Sequence, residues 1–216
     1  MRKIPFDKAK LEEIAAKWPT PFHIYDAKAI RENAKRLKKA FSWNKGFREY
    51  FAVKAAPNPH LMKLLKEFDF GSDCSSMAEL VLAEKVGNVG DRIMFTSNDT
   101  PAEEFRKAWE LGAIVNFDDI THWPFFLEAI RTTNGASGGP APSPAELGNS
   151  LFCCRYNPGP LKGGNAIIGK PEEAKYGFTR EQLFECYRRM KEAGVTRFGL
   201  HTMVASNELD PEYIID

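Results

Sequence analysis

The sequence predicts an α/β protein built on a sheet of parallel strands. Short apolar, β-prone segments alternate with amphipathic helices about every 20–25 residues between Tyr50 and His201. This alternation is typical of βαβ units, which form either a closed (β/α) barrel or an open, doubly wound sheet. Polar residues stand at the ends of several of these segments, the edge where parallel α/β folds place their chemistry. We count about six strand–helix units, fewer than the eight of a complete barrel.

Composition and charge exclude several kinds of partner. The chain has 216 residues, a length that fits one large or two small domains. Its apolar residues, 43% of the total, are enough to form a sizeable core. Thirty basic and 29 acidic residues give a net charge of +1, so we expect no binding to nucleic acid or to an anionic membrane surface. No apolar run approaches the roughly 18 residues of a membrane span, and the N-terminus has no apolar segment of the kind a secretion signal needs.

The cysteines indicate a reducing compartment. Cys74, Cys153, Cys154 and Cys186 show neither a C-x-x-C spacing nor the density of a disulfide framework. We therefore expect reduced thiols in a cytoplasmic protein, and no zinc or other metal centre.

The N-terminal region is expected to contain two helices and a strand. Residues 8–17 have the pattern of a short amphipathic helix. Residues 20–26, which end in Asp26, read as a strand. Asp26 is then expected to cap a helix of about 27–41.

Turn chemistry predicts further boundaries. Ser76 is expected to cap a helix of about 76–86, with Glu79 at capping-box spacing. Asp118 or Asp119 should cap the helix after the strand of residues 113–118. Residues 132–149 are rich in Gly, Pro and Ser and nearly uncharged, so they predict a flexible surface excursion.

Lys54 is the first candidate functional residue. It ends the β-prone run Tyr50-Phe51-Ala52-Val53, and the turn Pro57-Asn58-Pro59 follows. A lysine held among apolar neighbours has a lowered pKa, and its free amine can form a Schiff base with an aldehyde. The alternative is an ordinary edge lysine whose ammonium stays in water.

Residues 51–55 with Pro57-Asn58-Pro59 resemble the pyridoxal-phosphate lysine motif of the fold-type III decarboxylases, most closely the diaminopimelate decarboxylases. The segment from Gly71 to Glu79 is similar to the family's Gly-x-Asp-x-Ser-x-x-Glu motif. The resemblance implies that Asp73 lies close to the cofactor ring.

Three later segments carry the same resemblance. Arg155-Tyr156-Asn157-Pro158 resembles the family's Arg-x-Asn-Pro, whose arginine reaches the cofactor's phenolic oxygen, although an ion pair with an acidic residue is the alternative for Arg155. Lys175-Tyr176-Gly177-Phe178 is similar to an element that packs at the cofactor side of the barrel. Residues 199–206 match Gly-Leu-His-x-His-x-Gly-Ser.

In this last motif the chain departs from the family. His201 falls on the first histidine and Ser206 on the serine that binds phosphate, but Met203 replaces the histidine that stacks on the pyridine ring. A thioether can cover a ring face but cannot reproduce imidazole chemistry. A structural role is the alternative for His201.

The resemblance implies a TIM-like (β/α) barrel of the alanine racemase-like type, apparently incomplete, that binds pyridoxal 5'-phosphate. It implies an amino-acid decarboxylase, with meso-diaminopimelate converted to L-lysine in lysine biosynthesis as the leading reaction. Ornithine, arginine or carboxynorspermidine decarboxylation and a noncatalytic cofactor-binding protein are the alternatives. The family's C-terminal β domain is missing, so we expect an N-terminal portion that is inactive alone and belongs to a homodimer in the full-length enzyme.

Overall fold

The structure is a computed structural model that describes residues 4–131, 140–161, 170 and 176–215. The chain divides into two compact units, Met1–Phe47 and Arg48–Asp216. The second unit carries the sheet and the candidate site residues.

The first unit contains two of the predicted elements and lacks a third. Helices α1 (Lys8–Lys17) and α2 (Ala27–Ala40) are both present, and the predicted cap Asp26 accepts a hydrogen bond at its Oδ1 from the backbone N–H of Ala29 at 3.0 Å. Asp7 caps α1, which the sequence analysis did not predict. The strand predicted at residues 20–26 is wrong. This stretch joins no ladder in the described part of the chain, and Pro21 has no N–H to donate to one.

The second unit is a parallel sheet with helices between its strands. The strands are β1 (Tyr50–Ala52), β2 (Gly71–Cys74), β3 (Ile93–Thr96), β4 (Ile114–Phe117), β5 (Leu151–Tyr156) and β6 (Arg197–Thr202). The helices are α3 (Pro59–Lys66), α4 (Met77–Lys85), α5 (Ala102–Glu110), α6 (His122–Ile130), α7 (Pro144–Asn149), α8 (Arg180–Glu192) and α9 (Pro211–Ile215).

The strand order decides between the two predicted architectures. Neighbouring strands in the sheet follow chain order from β1 to β6, and all are parallel. A doubly wound sheet reverses its order at a switch point, whereas a barrel does not. Within the described residues β1 and β6 are each paired on one side only. The predicted incomplete (β/α) barrel is therefore confirmed.

Aromatic packing fixes which face of the sheet meets the helices. The Phe126 ring of α6 lies 5.4 Å from Phe117 and 5.4 Å from Phe152, and Phe105 of α5 lies 5.5 Å from Phe126. Each such pair stabilises the fold by about 0.5–1.5 kcal/mol beyond the area it buries. Because side chains alternate along a strand, Arg155 of β5 faces the opposite, inner side.

The cap of α4 differs from the prediction. Ser76 is the N-cap residue, but its hydroxyl accepts no backbone hydrogen bond and instead donates to Glu79 Oε1 at 3.1 Å. Glu79 also accepts from the Ser75 N–H at 3.0 Å, while the Met77 N–H donates to Glu104 of α5 at 2.8 Å. A carboxylate from the next helix thus accepts from the first N–H of α4, while the Ser76 oxygen caps none.

The cap predicted for α6 is also wrong. The helix begins at His122 after the N-cap Thr121, and Asp119 accepts from the N–H of Thr121 at 2.7 Å. Asp119 therefore closes the turn that precedes the helix, since aspartate readily bonds the backbone two residues on. Asp118 has a different role in the site.

The predicted excursion at residues 132–149 ends in a helix, so the loop prediction is wrong for its last part. Ser143 and Glu146 form a capping box at the start of α7, where Pro144 takes the first helical position. Proline is favoured there because that N–H has no helical partner. Residues 132–139 lie outside the described part of the chain.

Candidate functional site

The candidate site lies at the carboxyl edge of the sheet, where the strands of the second unit end. Lys54 stands in a 3-10 turn, Val53–Ala55, directly after β1. Val53 is fully buried while Lys54 is exposed, so the turn anchors the backbone and leaves the amine accessible. The predicted position of Lys54 at the strand end is close to the observed one, but apolar neighbours do not enclose its side chain.

Three side chains on neighbouring strands form a hydrogen-bonded row, which we call the polar ladder: Asp73, Thr96 and Asn116. Nδ2 of Asn116 donates to Oγ1 of Thr96 at 2.7 Å, and the Thr96 hydroxyl donates to the Asp73 carboxylate. Ala52 pairs with Asp73 in the β1–β2 register, which brings this carboxylate to the strand that leads into Lys54. The polar ladder therefore joins β4, β3 and β2, and its Asp73 end lies beside the strand that leads into Lys54.

The polar ladder sets the electrostatics beside Lys54. Burial raises the pKa of Asp73, while the hydrogen bond from Thr96 and the charge of Lys54 oppose that rise. Oδ1 of Asn116 is buried without a hydrogen-bond partner in the described part of the structure. Thr96 and Asn116 were missed from the sequence, although strand alternation places them on the side opposite Phe95 and Phe117.

Arg155 and His201 form a second group at the same edge. They are register partners on β5 and β6, and Nη2 of Arg155 donates to the carbonyl oxygen of Met203 at 3.2 Å. The arginine is only 9% exposed. Burial lowers its pKa, and the nearby carboxylate of Asp118 opposes this effect.

His201 is held towards its neutral form. Burial lowers the pKa of its imidazole, and the positive charge of Arg155 lowers it further. Its Nδ1 is buried and has no hydrogen-bond partner among the described residues. A neutral imidazole with a free ring nitrogen can donate to or accept from a ligand.

Asp118 is a member of the site that the sequence reasoning treated only as a helix cap. It is 5% exposed, and its Oδ1 lies 2.9 Å from Nδ1 of His122 on α6. Its charge acts on both Arg155 and His201. Its position immediately after β4, at the carboxyl end of a predicted strand, was the signal that could have identified it as a site residue.

The other residues predicted for the site lie at its periphery or outside the residues that the structure describes. Ser206 is half-buried in a bend that follows β6, and Met203 is 43% exposed. Tyr176 covers Arg155, with its ring centroid 5.6 Å from Cζ of the arginine. Lys175 lies outside the described residues. The functional roles of Lys54, Asp73, Arg155, His201 and Ser206 stay predictions.

The described residues carry neither a metal-binding cluster nor a membrane-spanning helix. The part of the chain that the structure describes holds no cluster of three or more His, Cys, Asp or Glu side chains able to bind a metal ion. None of its helices is both long enough and apolar enough to cross a bilayer.

The edge thus combines an exposed amine, a buried guanidinium and a carboxylate on a barrel-type parallel sheet. This combination is able to bind a small, anionic, carbonyl-bearing ligand at the strand ends. Residues 27–216 match the family described as pyridoxal-dependent decarboxylase, pyridoxal binding domain. The chain belongs to this family, whose cofactor is a pyridoxal, and the family prediction is confirmed.

Individual relatives give a similar result. Protein TabA of Pseudomonas amygdali pv. tabaci is 36% identical over 202 residues, 94% of this chain and 43% of that protein. A diaminopimelate decarboxylase of Methanothermobacter thermautotrophicus is 30% identical over 205 residues, 93% of this chain and 44% of the relative. The chain therefore spans less than half the length of these curated relatives.

Solved structures support the fold. Diaminopimelate decarboxylase of Helicobacter pylori, crystallised with L-lysine, superposes with a TM-score of 0.78 at 25% identity over 95% of this chain and 49% of that one. Diaminopimelate decarboxylase from m. jannaschi gives a TM-score of 0.76 at 23% identity over 94% of this chain and 46% of that one. At 23% identity, the similarity to this second structure shows only a shared fold.

The residues present fit a pyridoxal phosphate. An aldehyde needs an accessible amine, which Lys54 supplies. An anionic ring oxygen needs donors, and within the described residues only one N–H of the buried Arg155 has a protein acceptor. The unpartnered Nδ1 of His201 adds a further polar contact at the same edge.

Proposed function

We propose that this chain supplies the cofactor-binding part of a pyridoxal-phosphate-dependent amino-acid decarboxylase, with Lys54 as the residue that holds the cofactor covalently. The observation that carries the proposal is the exposed amine of Lys54 at the carboxyl edge, with Asp73 on the neighbouring strand. The family match over residues 27–216 supports the same cofactor.

The cofactor, when bound, supplies the electron-withdrawing ring that makes loss of the substrate carboxylate possible. The chain's own residues bind and orient. Arg155 offers donors to an anionic ring oxygen, Asp73 places a negative charge near the Lys54 amine, and the neutral imidazole of His201 offers a polar contact without adding charge. Ser206 is proposed to bind the phosphate.

For the whole protein we propose decarboxylation of meso-diaminopimelate to L-lysine in the cytoplasm, by a homodimer whose subunits are longer than this chain. Relatives named diaminopimelate decarboxylase support this substrate, and one of them was crystallised with L-lysine. Decarboxylation of ornithine, arginine or carboxynorspermidine is the alternative. The substrate is a proposal because the relatives differ in their printed names, which include an L-glutamyl-[BtrI acyl-carrier protein] decarboxylase and Protein TabA.

A noncatalytic cofactor-binding protein is a second candidate function. The observation that favours it is Met203, which is 43% exposed after β6 where the family motif has a stacking histidine. Cofactor attachment to Lys54 without turnover of any of these amino acids, by the complete protein, would support this candidate.

The direct test is to incubate the chain with pyridoxal phosphate, reduce with borohydride and map the modified lysines by mass spectrometry. We expect one equivalent at Lys54, and loss of that label in the variant Lys54→Arg, which keeps the charge. The exposed Lys63 is the internal reference for nonspecific labelling. Equal labelling of Lys54 and Lys63 would contradict the proposed site.

A further inference from the structure

We propose that the segment Tyr176–Phe178, here called the 176–178 clip, positions the guanidinium of Arg155, and that the Tyr176 ring is the positioning group. This inference rests on the proposed function, because it assigns a support to the arginine that would bind the cofactor. It concerns two sets of contacts. Backbone hydrogen bonds fix the clip to the strand ends, and the Tyr176 ring covers the Arg155 guanidinium.

The backbone of the clip is bonded to the ends of two strands. The Gly177 N–H donates to the carbonyl oxygen of Asp118 at 2.8 Å, and the Phe178 N–H donates to the carbonyl oxygen of Arg155 at 2.7 Å. The Asn157 N–H donates back to the carbonyl oxygen of Phe178 at 3.0 Å. The clip therefore lies beside the end of β5 like a short additional strand, with one bridge from Phe178 to Tyr156.

Packing and conformation fix the clip in place. Phe178 is fully buried, which anchors the carboxyl end of the clip in the core. Gly177 has φ +99, and a Cβ there would lie 2.8 Å from Cβ of Asn157 and 3.1 Å from the Arg155 oxygen. Only glycine tolerates this approach without strain. Tyr176 is thereby held next to β5.

The Tyr176 ring stabilises the positive charge of the buried Arg155 side chain. Arg155 is 9% exposed, and its one protein acceptor among the described residues is the Met203 oxygen. A guanidinium in that position requires compensation for lost water. The face of the Tyr176 ring, 5.6 Å away, provides it by a cation–π contact that uses none of the N–H groups. The ring thus sets the direction of the donors without occupying them.

Asp118 supplies the opposite charge in the same place. Its carboxylate favours the charged form of Arg155, and His122 contacts its Oδ1 at 2.9 Å from the helix side. The backbone oxygen of the same residue receives the clip through Gly177. Asp118, at the end of β4, therefore acts on Arg155 in two ways. Its carboxylate attracts the guanidinium, and its backbone oxygen holds the 176–178 clip in place.

The first experiment needs no cofactor. Phenylglyoxal modification of arginines is followed by mass spectrometry in the wild-type chain and in Tyr176→Leu and Tyr176→Phe. We expect Tyr176→Leu to increase the modification rate of Arg155 about fivefold, the scale of a lost cation–π contact, and Tyr176→Phe to leave it within about twofold. Arg106, which donates to the Ala129 oxygen elsewhere in the same unit, is the reference.

The second experiment measures the dissociation constant of pyridoxal phosphate for the same variants. We expect about fivefold weaker binding for Tyr176→Leu and near wild-type binding for Tyr176→Phe. An unchanged Arg155 rate, or equal acceleration at Arg155 and Arg106, overturns the positioning role. If Lys54 fails to label in the wild type while Arg155 still responds to Tyr176→Leu, the proposed function fails and the contact between ring and arginine stands.

Discussion

At the scale of single residues, the buried imidazole of His201 makes folding depend on pH. The unfolded chain binds a proton at this residue near pH 6.5, and the folded chain binds it at a lower pH because burial and Arg155 oppose the charge. Between these values the unfolded state holds more protons, so the free energy of unfolding decreases as the pH falls below about 6.5.

We therefore predict that His201→Gln reduces the loss of stability between pH 6.5 and 5. Urea unfolding of the wild-type and variant chains at several pH values measures this difference. An identical pH dependence in the two chains would contradict the prediction.

A second residue-scale prediction concerns the polar ladder. Replacing Thr96→Val removes the donor that opposes the rise in the Asp73 pKa and leaves Nδ2 of Asn116 without its acceptor. We expect the Asp73 pKa, measured by NMR of its carboxyl carbon, to rise further. We also expect the free energy of unfolding to fall by about 1–3 kcal/mol.

The matched control for this change is Thr100→Val. Oγ1 of Thr100 is buried and has no hydrogen-bond partner in the described structure, so its removal breaks no bond to the ladder. An equal change of the Asp73 pKa in both valine variants would contradict a specific role for Thr96.

At the scale of elements, the start of α4 depends on a neighbouring helix. The Met77 N–H donates to the carboxylate of Glu104 at 2.8 Å, and Ser76 provides no side-chain cap. We predict that Glu104→Ala lowers the free energy of unfolding by about 0.5–2 kcal/mol, the range for loss of an N-cap. Thermal and urea unfolding measure it. Glu103→Ala, at an exposed position in the same turn of α5, should change stability by less than about 0.5 kcal/mol.

The elements also show where local sequence signals succeed. Asp26 caps α2 as predicted, because its signal acts within three residues of its own helix. The equally local signal of Ser143 and Glu146 at α7 was overlooked, because the Gly-, Pro- and Ser-rich composition around it favoured a loop. At α4 the serine signal was present, but the Ser76 hydroxyl bonds Glu79, and a carboxylate from a distant position accepts from the first N–H of the helix. Local propensity cannot rank such competitors, since the packing of α5 against α4 decides which acceptor is near.

At the scale of the whole molecule, the outer face of β6 leaves apolar side chains exposed. Leu200 is 65% exposed and Phe198 is 40% exposed on the strand that is paired on one side only in the described residues. Exposed apolar edge strands promote association between chains.

We predict that Leu200→Lys shifts the isolated chain towards the monomer in sedimentation velocity at micromolar concentration. Leu11→Lys, on the exposed surface of α1 in the first unit, is the control and should leave the distribution unchanged. Equal effects of both variants would indicate a general charge effect and would count against the β6 surface.

The sequence by itself determined the alternation of parallel strands and helices, the position of Lys54 beside a strand end and the family to which the chain belongs. These properties follow from residue spacing and short motifs, which need no knowledge of distant contacts. The tertiary structure alone joined Thr96 to Asn116, 20 residues apart, and Arg155 to the Met203 oxygen, 48 residues apart. Alternation along a strand gives the face of each side chain, but the pairing register and the packing of the segments after the strands decide which side chains meet.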